Sequence, residues 1–301
     1  MKETPMDQRT IGFIGLGLMG RAMVECLQDQ GHQMVVLGHR DRTGVDAAVA
    51  RGAIEASSAA ELARQSDVVM LCMGTSDQVE MRMLGNDGVL AGARHGQVVI
   101  DFGTSLPAST LMLGAMLADC GAAYLDAPLG RTPSHAREGK LNIMCSGDAG
   151  AFEQVRHLLE ELGENVFHLG PLGTGHTIKL INNFYAMTSA CAMAEGLAMA
   201  EAAGVDPQAL YKVLAAGPNH SGMMDFINNY ARDGQIDLAF SVANAAKDVG
   251  YYRTMAEDLG MRSRMSGATD ALLKEAKTRE FGDKMVPQLV DYLNDHLKDK
   301  A

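Results

Sequence analysis

The sequence contains no tryptophan, and aromatic residues supply only 5% of its 301 positions. It has no uninterrupted apolar run of 18 or more residues, so we expect no membrane-spanning helix. Residues 1–9 are charged and lack the apolar centre of a secretory signal. Basic residues are also scarce, because 26 Lys and Arg face 37 Asp and Glu and leave a net charge of −11. This deficit argues against nucleic acid or an anionic membrane as a partner.

Cysteine is rare and irregularly spaced. The five cysteines form no C-x-x-C pair and no metal-ligand spacing, and the nine histidines add no ligand pattern. Scattered thiols in apolar segments are typical of buried cysteines in a reducing compartment, so we predict a cytoplasmic protein without a bound metal. Cys72 has no histidine nearby in sequence and is interpreted as a core residue. The five are Cys26, Cys72, Cys120, Cys145 and Cys191.

Glycine, by contrast, is abundant, and three glycines form a motif near the start of the chain. Residues 10–21 read T-I-G-F-I-G-L-G-L-M-G-R, in which Gly15, Gly17 and Gly20 have G-x-G-x-x-G spacing. A strand pattern precedes the motif and a helical pattern follows at 19–30. In a dinucleotide site the first glycine permits the turn, the second admits the pyrophosphate and the third lets the helix pack closely. The alternative is a glycine-rich turn without a ligand.

Short apolar runs alternate with helical patterns up to about residue 172, which predicts an α/β Rossmann domain with a doubly wound, mostly parallel sheet. We assign this dinucleotide-binding domain to residues 1–172. Ligands of such sheets bind beyond the carboxyl ends of the strands. Residues at or just beyond the strand ends are therefore candidate cofactor contacts, such as Met73, which ends the strand 67–73, and Thr104, which follows the strand 97–101. The predicted strands are 10–15, 33–37, 67–73, 97–101, 123–126, 142–145 and 166–169.

Residues 173–301 are predicted to form an all-helical substrate and dimerisation domain. The stretch 176–203 carries Ala, Met and Leu on nearly all faces, and a helix that is apolar all round is buried. We expect it to be the central helix, buried within its domain or shared with a second subunit, and a homodimer or homotetramer is the predicted assembly. The other predicted helices are 207–216, 223–233, 240–259, 267–279 and 286–298.

The end of the second strand bears on the choice of cofactor. An NAD site places an acidic residue about 20 residues beyond the glycines to bind the ribose hydroxyls. The chain instead reads Gly38-His39-Arg40-Asp41-Arg42. Because guanidinium groups match phosphate geometry, Arg40 and Arg42 could bind a 2′-phosphate, and we predict NADP over NAD. The alternative is that both arginines are solvated and that Asp41 contacts the ribose.

Five ordered motifs extend over almost the whole chain. They are G-F-I-G-L-G-L-M-G at 12–20, D-F-G-T-S-L-P at 101–107, D-A-P-L-G-R-T at 126–132, G-x-G-x-x-x-K-L-I-N-N at 173–183 and Lys247-Asp248. Together they resemble the β-hydroxyacid dehydrogenase family, which includes 3-hydroxyisobutyrate dehydrogenase and tartronate semialdehyde reductase. The resemblance implies a Rossmann domain, a helical domain and NAD(P)-dependent interconversion of a 3-hydroxy acid and its semialdehyde.

The resemblance also implies roles for individual residues. Lys179 would be catalytic, Asn183 would bind substrate, and Thr104 and Lys247 would lie near the nicotinamide. For Lys247 the alternative is a surface charge pair with Asp248, although adjacent helical residues do not face each other. The predicted cofactor contacts are Gly15, Gly17, Leu18, Met19, Gly20, His39, Arg40, Arg42, Met73, Thr104 and Lys247.

Lys179 is a catalytic candidate on physical grounds as well. It lies in the apolar helical stretch T-I-K-L-I, where a lysine is costly unless it has partners or a function. Desolvation would lower its pKa toward neutrality, where proton exchange with a reacting oxygen is efficient. Asn182 and Asn183, three and four residues later, can share its side of the helix, and both are predicted to bind substrate. The alternative is an ordinary lysine at the mouth of the helix.

The predicted substrate pocket departs from the family pattern. Many members have Ser-Gly-Gly where this chain has Gly130, Arg131 and Thr132, and Gly103 replaces the usual serine before Thr104. The L-G-R-T form looks like the sulfolactaldehyde reductase branch, in which Arg and Thr are expected to hold a sulfonate. A guanidinium beside a hydroxyl can bind a carboxylate, sulfonate or phosphate. The alternative for Arg131 is a structural salt bridge to Asp126 or Glu138.

The sequence therefore predicts an enzyme that interconverts a small anionic aldehyde and its hydroxy acid. The most specific prediction for its substrate is 3-sulfolactaldehyde. Succinic, glyoxylic and tartronic semialdehyde and 3-hydroxyisobutyrate are the alternative substrates. A catalytically inactive nucleotide-binding scaffold is the alternative from a different class, although retention of Lys179 with Asn183 argues against it.

Overall fold

A six-stranded parallel sheet forms the centre of the first half of the computed structural model, which describes residues 9–296. The strand order is β3-β2-β1-β4-β5-β6, the order expected of a dinucleotide-binding sheet. This confirms the predicted Rossmann architecture. The strands are β1 (Thr10–Ile14), β2 (Gln33–Leu37), β3 (Ile54–Ala56), β4 (Val68–Leu71), β5 (Val98–Asp101) and β6 (Ala123–Asp126).

Apolar side chains on both faces explain why these segments form a central parallel sheet. Phe13, Met23 and Ile100 belong to the core on one face. Leu62 and Leu71 belong to the core on the other. Each fully buried side chain of this size stabilises the fold by about 1.5–3 kcal/mol. The covering helices are α1 (Leu18–Asp29), α2 (Thr43–Ala50), α3 (Ala59–Gln65), α4 (Ser76–Leu84), α5 (Val89–Gly92), α6 (Pro107–Asp119), α7 (Pro133–Arg137) and α8 (Ala149–Leu162).

The structure differs from the sequence-based assignment at two places in this sheet. The edge strand β3 has no alternating pattern because it has three residues and both Ile54 and Glu55 are exposed, and the prediction missed it. The last two predicted strands belong to a separate sheet, in which β8 lies between β7 and β9. These strands are β7 (Leu129–Gly130), β8 (Leu141–Cys145) and β9 (Gly163–His168).

The chain divides into two compact units at Lys179 and Leu180, shortly after the boundary predicted at residues 172 and 173. The dividing point lies inside one long helix. The change from an alternating strand and helix pattern to a purely helical one therefore comes several residues before the chain passes into the second compact unit. The predicted boundary itself stays a prediction. The helices from this point onward are α9 (Thr174–Ala202), α10 (Pro207–Ala215), α11 (Gly222–Asp233), α12 (Val242–Asp258), α13 (Met265–Ala276) and α14 (Leu289–His296).

Side-chain caps and backbone breaks move several helix ends away from the predicted positions. Ser241 accepts the N–H of Asn244 at 3.2 Å, so α12 begins two residues later than its apolar pattern. The pattern at 267–279 is not one continuous α-helix, because α13 ends at Ala276 and the following turn leaves helical geometry at Arg279 and at Glu280, which has a φ of 66°. The pattern at 286–298 begins as a 3-10 turn, and its residues 297 and 298 lie outside the described part of the chain.

The long helix α9 is not buried all round in the single chain, contrary to the expectation from its composition. Ile181, Tyr185 and Met199 are 48%, 70% and 61% exposed. The opposite side packs in the second core, where Met187, Ala190 and Leu197 are buried, among others. A homodimer or homotetramer that covers the exposed residues stays a prediction. Within residues 9–296, no helix combines the length and apolar character needed to cross a bilayer.

Candidate active site

Two of the motif glycines are required by the fold itself. Gly15 follows β1 with a φ of 99°, a left-handed conformation that favours glycine. A Cβ atom at this position would collide with the carbonyl oxygen of Cys72. A Cβ atom at Gly20 would collide with the carbonyl oxygen of Gly15. These two positions therefore bring α1 close to β1, as the motif predicts.

Gly17 has no such local reason to be glycine. Its φ is −71°, and among the described residues no atom lies within 4 Å of the place where a Cβ would be. It precedes α1, whose N-terminus has no side-chain cap from the described part of the chain. Leu18, the first residue of that helix, is 83% exposed, and Met19 is half-buried. An open backbone position before uncapped amides fits the pyrophosphate of a dinucleotide.

The end of β2 differs from the expectation for its arginines. Arg42 is exposed, but it is already paired with two carboxylates, Asp46 at 2.9 Å and Glu55 at 2.9 Å. His39 and Arg40 are exposed. Glu55 belongs to the strand that the sequence reading missed. The role predicted for Arg42 at a 2′-phosphate stays a prediction, and it requires this arginine to leave or share its carboxylates.

Met73, Gly103 and Thr104 follow the ends of β4 and β5. The Met73 sulfur lies 2.9 Å from the ideal Cβ position of Gly15, which places Met73 beside the glycine loop. A Cβ at Gly103 would lie 2.9 Å from Asp101 Oδ1 and 3.1 Å from the Met73 carbonyl oxygen. This crowding is a physical reason for glycine where the related family usually has serine. Thr104 is half-buried next to it.

A buried carboxylate holds the first turn of α9 through hydrogen bonds, and the sequence analysis assigned no role to it. Asp126 ends β6, is fully buried, and accepts the N–H of Gly173 at 2.8 Å and of His176 at 2.7 Å. The Ser146 hydroxyl donates to Asp126 and accepts the N–H of Gly175 at 2.9 Å. Together these groups satisfy amides at the start of the helix that carries Lys179.

A second strand-end carboxylate lies next to this turn. Asp101 ends β5, is fully buried, and accepts the Gly103 N–H and the Ser105 hydroxyl, each at 2.8 Å. His176 is also fully buried, with Nδ1 at 2.7 Å from the Thr110 hydroxyl and Nε2 at 3.7 Å from Asp101 Oδ2. The detectable signal in the sequence was an aspartate at the end of each of two neighbouring predicted strands.

Lys179 lies at the end of this fastened segment, two turns into α9. Its side chain is half-buried, and its ammonium group donates to the carbonyl oxygen of Leu129 at 2.7 Å. Leu129 belongs to β7, the strand immediately before Arg131 and Thr132. The structure thus brings the predicted proton donor to the segment that carries the predicted anion ligands.

Arg131 has an ion-pair partner that differs from both interpretations of the sequence, a substrate anion and a salt bridge to Asp126 or Glu138. Its guanidinium pairs with Glu164 on β9 and donates to the carbonyl oxygen of Lys140 at 2.7 Å. The alternative partners Asp126 and Glu138 were wrong, because Asp126 receives the amides of α9 and Glu138 pairs with Lys140 at 2.8 Å.

The backbone around Arg131 also differs from an ordinary loop. Arg131 has a φ of 77°, a left-handed conformation that is unfavourable for a residue with a side chain. Gly130 precedes it in β7, and the Thr132 hydroxyl lies 2.7 Å from His135 Nδ1 and 2.8 Å from the Ser134 hydroxyl. The substrate roles of Gly130, Arg131 and Thr132 stay predictions.

The second unit orders the asparagine that follows Lys179 by one turn of α9. Asn183 is buried, and its amide nitrogen donates to Asp248 at 2.6 Å. Asn182 is exposed and donates to the Asn183 oxygen at 3.2 Å. Lys247 lies 3.0 Å from the other oxygen of Asp248, so these adjacent residues do pair, contrary to the expectation from helix geometry. The Lys247 ammonium also lies 5.3 Å from the Tyr251 ring centroid.

Cys72 does not have the environment of a reactive thiol. Burial, and to a lesser degree the nearby charge of Asp101, raises the pKa of Cys72 to about 12. Because the thiolate is the nucleophilic form, this group is inert at neutral pH. Among residues 9–296 there is also no cluster of three or more His, Cys, Asp or Glu side chains arranged to hold a metal ion.

Comparison with known proteins gives two consecutive family matches. Residues 10–170 match the NAD binding domain of 6-phosphogluconate dehydrogenase. Residues 173–293 match the family described as NAD-binding of NADP-dependent 3-hydroxyisobutyrate dehydrogenase. Only residues 171 and 172 separate the two matches, just before α9, and together the matches cover nearly all of the chain.

Individual relatives are similar over most of their length. The NAD-dependent L-serine dehydrogenase of Pseudomonas aeruginosa is 32% identical over 87% of this chain and 86% of its own. The 2-hydroxy-3-oxopropionate reductase of Escherichia coli is 30% identical over 83% of this chain and 85% of its own. The structure of Mycobacterium tuberculosis 3-hydroxyisobutyrate dehydrogenase with L-serine superposes with a TM-score of 0.85 at 25% identity, covering 95% of this chain and 99% of that one.

Proposed function

Because the chain belongs to the 3-hydroxyisobutyrate dehydrogenase-like family of β-hydroxyacid dehydrogenases, we propose that it interconverts a small anionic aldehyde and its hydroxy acid, with Lys179 as the proton-transfer group. The chain is an NAD(P)-dependent oxidoreductase of this family. The open backbone at Gly17 and the uncapped start of α1 are the features of the described chain that fit the cofactor phosphates. The nicotinamide, when bound, supplies or accepts the hydride.

The hydrogen bond from Lys179 to the Leu129 carbonyl oxygen supports the role of Lys179 in proton transfer most directly. Transfer of hydride to an aldehyde carbon builds negative charge on the aldehyde oxygen, which must receive a proton. The Leu129 carbonyl accepts one ammonium hydrogen at 2.7 Å and so fixes the position of the nitrogen beside β7. A fixed ammonium both stabilises the developing charge and donates the proton. In the oxidative direction the neutral amine accepts the hydroxyl proton.

The segment from Gly130 to Thr132 supports an acidic substrate. It continues directly from the residue that holds Lys179, and it contains one guanidinium and one hydroxyl. Arg131 already binds a carboxylate, that of Glu164, so anion binding by this guanidinium requires only an exchange of partners. We propose 3-sulfolactaldehyde as substrate, with Arg131 and Thr132 on the sulfonate. A carboxylate semialdehyde would use the same two groups.

A substrate panel tests this proposal. Oxidation of NADPH and of NADH is measured with four substrates: sulfolactaldehyde, succinic semialdehyde, tartronic semialdehyde and glyoxylate. The protein is expected to turn over sulfolactaldehyde with the highest kcat/KM. Arg131→Ala should raise the KM for the preferred substrate at least tenfold, because a charge-assisted pair is lost, and should leave dinucleotide affinity unchanged. Arg137→Ala is the matched control, because it removes an arginine of the neighbouring helix α7 that is paired with Glu25 of α1.

The outcomes separate the alternatives. A preference for a carboxylate aldehyde would overturn the sulfonate assignment but keep the anion site. An Arg131→Ala protein with unchanged KM for every active acid would overturn the role of Arg131. Tight binding of dinucleotide without turnover of any aldehyde would favour the inactive scaffold.

A further inference from the structure

An acidic side chain from the neighbouring strand β3 lies beside the carboxyl end of β2. Glu55 is the register partner of Val36 in the parallel pair of β2 and β3, so it lies on the adjacent strand one residue before the end of β2. A Cβ at Gly38 would collide with the Glu55 carboxylate and lie 3.0 Å from Arg42 Nη1. Glu55 therefore fills the space beside the strand end where other dinucleotide-binding sheets carry their ribose-binding acid.

Arg42 is held in this place by two carboxylates. Its Nη1 and Nη2 donate to the two oxygens of Glu55 at 3.0 and 2.9 Å, a bidentate arrangement. Its Nε and Nη2 also donate to Asp46 Oδ1 at 3.1 and 2.9 Å. The hydrogen bond from Arg42 lowers the pKa of Glu55, so this carboxylate is ionised at neutral pH. The three groups together carry one net negative charge.

We propose that Glu55 is a specificity-determining residue for the cofactor, because it holds Arg42 and thereby limits the preference of the site for NADP(H) over NAD(H). A 2′-phosphate would compete with two carboxylates for one guanidinium, whereas a 2′-hydroxyl would not. Arg40 is the nearby exposed guanidinium without an ion pair in the described part of the chain, and it remains for the phosphate. The inference rests on the dinucleotide site of the proposed function and not on its substrate.

The position of Glu55 also explains why the sequence of β2 gives an incomplete indication of specificity. Judged from Gly38, Arg40 and Arg42 alone, the strand end looks positively charged. The acid comes from a different strand, 13 residues after Arg42. The local charge seen by a 2′-phosphate thus depends on the pairing of β3 with β2.

Dinucleotide affinity of the full-length protein provides the test, because it needs no aldehyde. Dissociation constants of NADPH and NADH are measured by the fluorescence of the reduced nicotinamide for the unsubstituted protein and for Glu55→Gln. This variant keeps the shape of the side chain and removes its charge. We expect the affinity ratio to shift about tenfold toward NADPH. Asp46→Asn should shift it in the same direction by less, because Glu55 still holds Arg42.

A matched control removes the same charge at a distance. Glu153→Gln on α8 breaks an exposed pair with Arg156 and should leave the ratio unchanged. Arg42→Ala in the Glu55→Gln background should cancel the gain, because the released guanidinium is its cause. An unchanged ratio in Glu55→Gln, or a shift toward NADH, overturns the inference alone. Failure of the unsubstituted protein to bind either dinucleotide overturns the proposed function with it.

Discussion

The amide of Asn183 can take only one orientation in this fold. A carboxylate can only accept hydrogen bonds, so the amide nitrogen must face Asp248, at 2.6 Å. The amide oxygen therefore points away from Asp248 and accepts from Asn182 at 3.2 Å. An asparagine fixed in this way can accept a hydrogen bond from a substrate hydroxyl. Asp248 thus positions Asn183, the predicted substrate-binding residue, by fixing the orientation of its amide.

A single charge substitution tests this arrangement. Asn183→Asp would place a second carboxylate against the buried Asp248, and we expect it to lower the free energy of unfolding by about 2–4 kcal/mol. Asn182→Asp introduces the same group at the adjacent exposed position and should leave stability unchanged within about 0.5 kcal/mol. Urea unfolding followed by circular dichroism measures both. Equal effects of the two substitutions would contradict the contact between Asn183 and Asp248.

At the scale of elements, the start of α9 depends on the end of β6. Asp126 receives two amide hydrogens from the first turn of α9 and is fully buried, so this turn, which precedes Lys179, is fixed to the carboxyl end of β6. The other aspartate cap nearby, Asp148, is exposed and accepts one amide from α8 at 2.8 Å. The two residues offer a direct comparison of a buried and an exposed cap.

We expect Asp126→Ala to cost about 2–4 kcal/mol of stability, because the N–H groups of Gly173 and His176 lose their acceptor in a buried place. Asp148→Ala should cost about 1 kcal/mol, as ordinary N-caps do. The Asp126 variant should also lower kcat, since Lys179 follows the fastened turn, whereas the Asp148 variant should not. Urea unfolding and steady-state kinetics of both proteins give the comparison. Equal losses of stability would contradict the role of Asp126.

Elements with strong patterns were predictable, and weak ones were not. Continuous apolar runs indicated β1, β2 and β4 because those strands are buried on both faces. The edge strand β3 escaped because two of its three residues are exposed, and with it Glu55 escaped. The separation of β8 and β9 into another sheet depends on pairing between segments distant in sequence. Local patterns do not encode such pairing.

At the scale of the whole molecule, the sequence predicted which residues are candidates for the chemistry but not their ionic partners. The glycine motif, Lys179 and Asn183 were found because each breaks or completes a local pattern. Arg42 and Arg131 were found as cations, yet their pairs with Glu55 and Glu164 connect different elements. Exposed ion pairs of this kind are set by the tertiary fold. They decide how much of each positive charge remains for a cofactor or substrate.

The exposed apolar side of α9 belongs to the same scale. Tyr185 and Met199 are more than half exposed on a helix whose other side is core. Single exposed apolar residues are ordinary, but several on one helix favour a covered surface. A second copy of the chain is the predicted cover, in keeping with the homodimer or homotetramer expected from the composition of this helix.

The most direct test of the account is turnover by Lys179→Met, which keeps the length of the side chain and removes its proton. We expect kcat for the preferred aldehyde to fall by a factor of about 10³, while the dissociation constant for NADPH stays within about twofold. Lys140→Met, at an exposed lysine paired with Glu138, is the control and should retain full activity. Near-native turnover by the Lys179 variant would contradict the assignment of the proton-transfer group and the mechanism built on it.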